Sequence, residues 1–175
     1  SNLSMGKEKR KKIAIFGNPG LLPQGAYQIT HHAYVDLVPL LKSISEWLNT
    51  MEYYFWENGL TEKPFPTGQE VESKWMANRT VNDYIKFNMQ FVVHARDVKN
   101  VVLEDGRETQ WARVVIYFAS WFDKNYNDTY SSSTSGEWMR QLYGRYIIKD
   151  ELSGYEGKLF IESMDLINTM KSHLH

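Results

Sequence analysis

Three residues of this chain come nearest to an acid–base site: His94, Tyr117 and Arg96. Alternation places them on one side of two predicted strands, where we expect Tyr117 to lie directly opposite His94. A histidine beside a tyrosine, with an arginine nearby, can exchange protons in a polar cavity. The favoured interpretation is a hydrogen-bonded histidine on a half-exposed sheet for His94 and a solvated strand charge for Arg96. An enzyme built on these residues is therefore the third hypothesis for the function of the chain.

Other catalytic and metal-binding patterns are missing or incomplete in the sequence. The chain has no cysteine, which excludes thiolate nucleophiles, disulfides and zinc–thiolate sites. Residues 123–127 copy the first three oxygen ligands of an EF-hand loop, but Asp128 replaces the required glycine and Thr134 replaces the bidentate glutamate. His31 and His32 are neighbours whose side chains point apart, so they are predicted to be loop histidines and not a metal pair. We therefore expect no metal site and no cofactor.

Composition and charge narrow the class of protein and of partner. The 175 residues include 20 Lys and Arg against 21 Asp and Glu, a net charge of -1, which makes nucleic acid an unfavoured partner. No stretch of sequence approaches the roughly 20 apolar residues of a membrane-spanning helix, and we expect a cytoplasmic protein. Residues 1–4 resemble a vector remnant before Met5, so residues 5–175 are predicted to form a single domain.

A long β-hairpin is predicted between residues 85 and 122. Asp105-Gly106, flanked by apolar alternation, is a strong signal for a two-residue type I′ turn. That turn would pair Val93 with Phe118, and it would place the apolar side chains of both strands on one face. Because the apolar pattern ends before the turn, we predict a bend or bulge at residues 97–100 and a tip that projects from the main body.

The strand before this hairpin is predicted at residues 71–81. A three-residue loop at residues 82–84 would pair Trp75 with Phe91, and it would also set Arg79 opposite Phe87. The charged side chains of these strands, Arg79 included, are expected to be solvated.

Shorter elements complete the prediction before residue 71. Strands are predicted at residues 12–16 and 53–56, and residues 25–33 are expected to be irregular. A surface loop is predicted from Asn58-Gly59 and from residues 63–68, which contain two prolines.

Two or three helices are predicted from apolar periodicity near 3.6 residues. The first covers residues 36–51, with Asp36 as its N-cap. Residues 123–135 form a predicted polar loop, and residues 134–137 fit a capping box that begins a helix. A break near Ser153-Gly154 is expected before the last helix, with one long bent helix as the alternative.

The predicted fold class is α+β. A curved antiparallel β-meander is covered on one face by a helix from the N-terminal half and by one or two C-terminal helices. This order of elements resembles the helix-grip, START-like lipid-binding domains. The resemblance implies a long C-terminal helix that closes a curved sheet around an apolar cavity.

A non-enzymatic binding module is the first functional hypothesis. Its pocket for an apolar small molecule or lipid would lie between the sheet and the C-terminal helices, lined by Phe87, Phe91, Phe118 and Trp138. The second hypothesis is a protein-interaction or self-assembly domain that uses the projecting hairpin or a sheet edge, with a second copy or another protein as partner.

Overall fold

The structure, a computed structural model, describes residues 11–19, 22–124 and 148–174. Within these ranges the chain forms six strands and two helices. In chain order the elements are β1 (Lys11–Phe16), β2 (Tyr27–Val35), α1 (Leu37–Thr50), β3 (Tyr54–Phe65), β4 (Gly68–Thr80), β5 (Ile85–Val102), β6 (Glu108–Lys124) and α2 (Ile148–Ser172).

The strands form one curved, open antiparallel sheet in the order β1-β6-β5-β4-β3. Strand β2 also pairs with β6, further along the same edge that β1 occupies. Both helices pack on one face of this sheet, which we call the helix-side face, and the opposite face is the outer face. The predicted α+β class is therefore confirmed, with helices of both chain halves on one side of a curved antiparallel sheet.

The core lies between the helix-side face and the two helices. Helix α1 buries the apolar stripe that the sequence predicts, including Leu40, Ile44 and Leu48. Helix α2 adds Leu159 and Met170 to the same apolar cluster. Neither described helix has the length and apolar character needed to cross a bilayer.

The tip of the β5–β6 hairpin differs from the predicted turn by one residue. Leu103 and Arg107 close the loop through an N–H to carbonyl bond of 2.8 Å, so the turn holds three residues, not two. Gly106 takes a positive φ of 85°, as such loops require. The backbone N–H and the guanidinium of Arg107 both donate hydrogen bonds to the Asp105 carboxylate. These two bonds, the backbone bond more than the side-chain bond, hold the pKa of Asp105 below its ordinary value.

The predicted bulge is confirmed, and it adds a second one-residue shift of register to the one at the turn. The register shifts again between Arg96 and Lys99, where Asp97 has a positive φ of 55°. Val93 therefore faces Ile116, and the predicted pairing of Val93 with Phe118 is wrong by two residues. Because two single-residue shifts add to an even number, the apolar side chains between Ile85 and the bulge stay on their predicted face.

The bulge is anchored to the β3–β4 turn. The Asp97 carboxylate accepts a hydrogen bond of 2.6 Å from the Thr67 hydroxyl, and Arg113 lies 3.3 Å from its other oxygen. Gly68 packs so closely here that a Cβ atom would lie 2.7 Å from the backbone carbon of Asp97. These contacts fix where the straight part of β5 ends.

The β4–β5 pairing is confirmed residue by residue. Trp75 faces Phe91, and Arg79 faces Phe87. The Val81 N–H donates to the Ile85 carbonyl at 3.0 Å and closes a loop of three residues, 82–84. Within it, the Asn82 side-chain oxygen accepts hydrogen bonds of 2.8 Å from the N–H groups of Tyr84 and Ile85.

Several predictions of local structure were wrong. Strand β3 continues to Phe65 through the predicted loop, because an edge strand tolerates proline and a bulge absorbs Asn58. Residues 27–35 form strand β2, so His31 and His32 are strand residues. Helix α2 runs without a break through Ser153 and Gly154, which matches the one-helix alternative over this range. The predicted loop beyond residue 124 and the capping box lie outside the described residues.

Helix α1 begins as predicted, although its cap differs. Asp36 occupies the N-cap position, but its carboxylate accepts a hydrogen bond from the Thr109 hydroxyl at 2.7 Å and caps no helical N–H. The Gln110 side-chain oxygen accepts from the Leu37 N–H at 3.3 Å instead. The start of α1 is thus tied to β6 near the hairpin tip.

Candidate functional site

A cluster of polar side chains is enclosed where α2 crosses the sheet. Arg79 on β4 donates two hydrogen bonds to the Glu162 carboxylate on α2, at 2.6 and 2.8 Å. Tyr53, between α1 and β3, donates its hydroxyl to the same carboxylate at 3.2 Å. We call these three residues the Arg79 cluster. It joins the sheet, the end of α1 and α2 at one point.

The position of Arg79 follows from strand alternation. Its partner across the strands is Phe87, so its side chain emerges on the helix-side face. The guanidinium lies 4.7 Å from the ring centre of Tyr53 and 5.4 Å from that of Phe87, in cation–π geometry. A further donor reaches the Met51 carbonyl at 2.8 Å.

The two charged side chains of the Arg79 cluster are largely buried and poorly hydrated. The side chain of Arg79 is 16% exposed and that of Glu162 is 6% exposed. Burial, reinforced by the negative charge of Glu162, raises the pKa of Tyr53 far above its usual range, so this tyrosine remains a hydrogen-bond donor. Burial alone would lower the pKa of Arg79, but the hydrogen bonds and charges of its neighbours outweigh that effect and raise it. The cluster suits binding and positioning better than proton transfer.

A surface groove opens beside this cluster, and we call it the Arg79 groove. Its volume is about 710 Å³. The walls come from the end of α1, the adjoining ends of β3 and β4, and α2, with both apolar and charged side chains. The lining residues are Thr50, Met51, Glu52, Tyr54, Asn78, Arg79, Thr80, Val81, Lys158 and Glu162.

Three of the four predicted pocket residues lie in the core on the helix-side face. Phe87, Phe91 and Phe118 are fully buried. The ring of Phe87 meets Tyr155 of α2 edge-on, with centroids 6.4 Å apart, and Phe91 stacks on Trp75 at 5.8 Å. Trp138 lies outside the described residues.

Direct contact between α2 and the sheet limits where a ligand can fit. The Ser163 hydroxyl donates to the Ser120 hydroxyl at 2.8 Å, and both residues are fully buried. Nothing can lie between helix and sheet at this point. The Arg79 groove, in contrast, is open and lies at another part of the same interface.

The residues of the predicted acid–base site share the outer face but do not meet as predicted. His94 is bonded through Nε2 to the Glu70 carboxylate at 2.9 Å. Tyr117 lies opposite Val92 and not opposite His94, because of the two register shifts. Arg96 is exposed, opposite Arg113. In the part of the chain that the structure describes, no three His, Asp or Glu side chains gather closely enough to hold a metal ion.

The Arg79 cluster was not predicted, although the sequence contains a signal for it. The expectation of a solvated Arg79 was wrong, yet its predicted pairing with Phe87 already placed it on the apolar face. Glu162 follows Leu159 at helical spacing and precedes Leu166, so it falls within the buried stripe of α2. An arginine and a glutamate in two opposed apolar stripes are candidates for a buried pair.

Comparison with known proteins does not assign this chain to a family. No family model matches the sequence, and no curated protein matches it. Among solved structures, it is similar to the crystal structure of the di-domain ARO/CYC StfQ from the steffimycin biosynthetic pathway, with a TM-score of 0.22 and 10% identity. The match covers 85% of this chain and 50% of that chain, so this chain spans half the length of that protein. A likeness this distant carries no argument about function.

Proposed function

We propose that this protein is a non-enzymatic binding module for a small molecule with an apolar body. The ligand lies between the sheet and α2, and it enters through the Arg79 groove. The observation that carries the proposal is the enclosed Arg79–Glu162 pair beside an open groove at the edge of an aromatic core.

The cost of burying charge supports a role beyond stability. A buried ion pair is seldom more stable than apolar side chains of the same volume, because both charges lose their hydration. Ligand sites, in contrast, combine apolar walls with a few fixed polar groups that orient the ligand. Arg79 and Glu162 are held in place by four hydrogen bonds that they share with Tyr53, Met51 and each other.

The apolar part of the proposed site begins immediately behind the cluster. Phe87 contacts the Arg79 guanidinium on one side and Tyr155 of α2 on the other. Met51 and Val81 supply apolar wall on the groove side. A ligand that enters here replaces water with apolar contact while its polar end remains near Lys158 at the rim.

Titration with anilinonaphthalene sulfonate, an apolar probe with one anionic group, tests this proposal. We expect saturable binding with a rise in fluorescence, and Val81→Trp should weaken it at least about tenfold because the new ring fills the groove. Val38→Trp is the matched control, since Val38 is exposed in a different groove, at the start of α1.

The outcome is clear only if the variants remain folded. Cooperative urea unfolding of both variants excludes probe binding to a loosened core. No saturable binding by the native protein, or equal affinity in the Val81 and Val38 variants, contradicts the proposal.

Self-assembly through the edge of β3 is a second candidate, favoured by one observation. Strand β3 ends the sheet, and it carries exposed apolar side chains such as Leu60, which is 54% exposed. Unpaired strand edges with apolar side chains favour pairing with a second copy. Sedimentation equilibrium of the native protein and of Leu60→Lys tests it: a dimer that the substitution dissociates supports this candidate, and a native monomer at high concentration contradicts it. An acid–base role for His94 stays a prediction.

A further inference from the structure

The outer face carries a band of uncharged side chains across four strands. Two adjacent rows of cross-strand partners make up this band, which we call the neutral band. Its members are Tyr54, Asn78, Asn88 and Trp121 in the first row, and Trp56, Met76, Gln90 and Ala119 in the second.

Charged side chains lie on both sides of the neutral band. Lys86 and Asp123 face each other in the row beyond the first, and Lys74 and Glu72 follow on β4 beyond the second. The band itself therefore carries no net charge. Its side chains are exposed mainly on β3, because Asn88, Ala119 and Trp121 are buried. Electrostatics favour an uncharged ligand over an anionic or cationic one at such a surface.

The exposed end of the band is aromatic. Tyr54 is 69% exposed and Trp56 is 37% exposed, although both have large apolar rings. Their ring centroids are 5.5 Å apart, with the planes tilted by 42°. Exposed neighbouring rings provide apolar faces on which another ring can lie at little entropic cost.

Two buried polar atoms of the band add an independent observation. The indole N–H of Trp121 and the side-chain oxygen of Gln90 are buried, and neither has a hydrogen-bond partner among the described residues. Gln90 faces Ala119, two positions before Trp121, so the two side chains are diagonal neighbours within reach of each other. One is a donor and the other an acceptor, and a hydroxyl group can satisfy both at once.

We propose that the neutral band is a binding site for a neutral oligosaccharide. A pyranose ring has apolar C–H faces that suit Tyr54 and Trp56. Its hydroxyl groups donate and accept hydrogen bonds, as the amides of Asn78 and Gln90 also do. Tyr54 and Asn78 also line the Arg79 groove, but Trp56, Gln90 and Trp121 lie outside it, so the proposal does not depend on the groove site.

The same features disfavour other occupants of this surface. A nucleic acid would need several cations for its phosphates. At the band, the Lys12 ammonium lies 5.8 Å from the ring centre of Trp121, and the Asp123 carboxylate accepts a hydrogen bond of 2.9 Å from Asn88, so this cation is balanced by an anion. An extended peptide that adds to the edge of β3 would be held mainly by backbone hydrogen bonds, without the amides on β4 and β5.

Calorimetric titration with cellohexaose and with maltoheptaose, two neutral oligosaccharides, tests the proposal. We expect at least one of them to bind, and Trp56→Ala should weaken that binding about tenfold or more. Gln90→Leu should weaken it as well, although this substitution removes an unsatisfied buried oxygen and should leave the fold as stable as before or more so. Phe65→Ala is the matched control, because Phe65 is an exposed aromatic residue of β3 outside the band.

The results separate a binding site from an exposed aromatic surface. Loss of affinity in both band variants, with native affinity in Phe65→Ala, supports the proposal. The absence of measurable binding of both sugars up to about 10 mM, weaker than the usual range of specific affinity, overturns it. Unchanged affinity in either band variant, or an equal loss in the Phe65 control, overturns it too.

Discussion

The Arg79 guanidinium and the Glu162 carboxylate meet through two hydrogen bonds, although 83 positions separate the residues in the chain. This contact fixes the position of α2 on the sheet. It also sets a charged pair beside an open groove and an aromatic core. The proposed binding function depends on this arrangement.

Removing one partner of the buried Arg79–Glu162 pair should destabilise the protein more than replacing both partners. Arg79→Met or Glu162→Leu alone leaves a buried charge without its partner, and each should lower the free energy of unfolding by about 3 kcal/mol. The double variant leaves no buried charge, so its loss should be far smaller than the sum of the two. Urea denaturation of all four proteins measures the coupling.

An exposed ion pair provides the control for this cycle. Lys42 and Glu46 lie 3.9 Å apart on α1, with both side chains mostly exposed. Their coupling should stay below about 0.5 kcal/mol. Equal coupling in the two cycles would show that the Arg79–Glu162 pair gains nothing from its enclosure.

The stability of the protein should fall at high pH because of Tyr53. Its pKa is raised in the folded state, so above pH about 10 the unfolded chain loses this proton while the folded protein keeps it. The stabilisation of the fold by the protonated Tyr53 hydroxyl is fully present below about pH 10. Above that pH it is lost at up to about 1.4 kcal/mol per pH unit. The stability difference between the native protein and Tyr53→Phe should shrink between about pH 8 and about pH 11. A difference independent of pH would contradict the burial of this hydroxyl.

Three glycine substitutions should separate crowding from backbone strain. Gly68→Ala should destabilise most, by about 2 kcal/mol or more, because its Cβ would press against the backbone of Asp97 at a positive φ. In Gly106→Ala the new Cβ would have no atom within 4 Å. Only the positive φ of 85° should therefore lower the free energy of unfolding, by about 1 kcal/mol. Gly157→Ala, in the open on α2, should stabilise by up to about 1 kcal/mol. Thermal unfolding of the three variants checks the order, and a Gly68 variant as stable as the Gly106 variant would contradict the close packing at the bulge.

Local patterns predicted much of the sheet, and the errors have physical causes. Residues 82–84 fixed the β4–β5 register because alternation on both sides allowed a single loop length. Asp105-Gly106 suits both two-residue and three-residue turns, so the tip was misassigned by one residue. The bulge at Asp97 was predictable because the apolar pattern stops there.

Tertiary contacts and edge strands were harder to predict. The prolines at 64 and 66 indicate a loop, yet Pro64 lies in edge strand β3, where its missing N–H costs no ladder hydrogen bond. The pairing of Arg79 with Glu162 depends on how α2 crosses the sheet, which no local pattern encodes. The sequence pattern placed Phe87, Phe91 and Phe118 on the covered face of the sheet, and they are buried there, whereas their role in a pocket stays a prediction. The charged pair beside Phe87 was not predicted.

Chemical-shift mapping by nuclear magnetic resonance, with anilinonaphthalene sulfonate as ligand, locates the binding site on the protein. We expect the largest amide shifts at Met51, Val81 and Lys158, which line the Arg79 groove, with little change at Val38 and Val102 beside the hairpin tip. Shifts concentrated at the hairpin tip, or no saturable shifts at all, would contradict a ligand site between the sheet and α2.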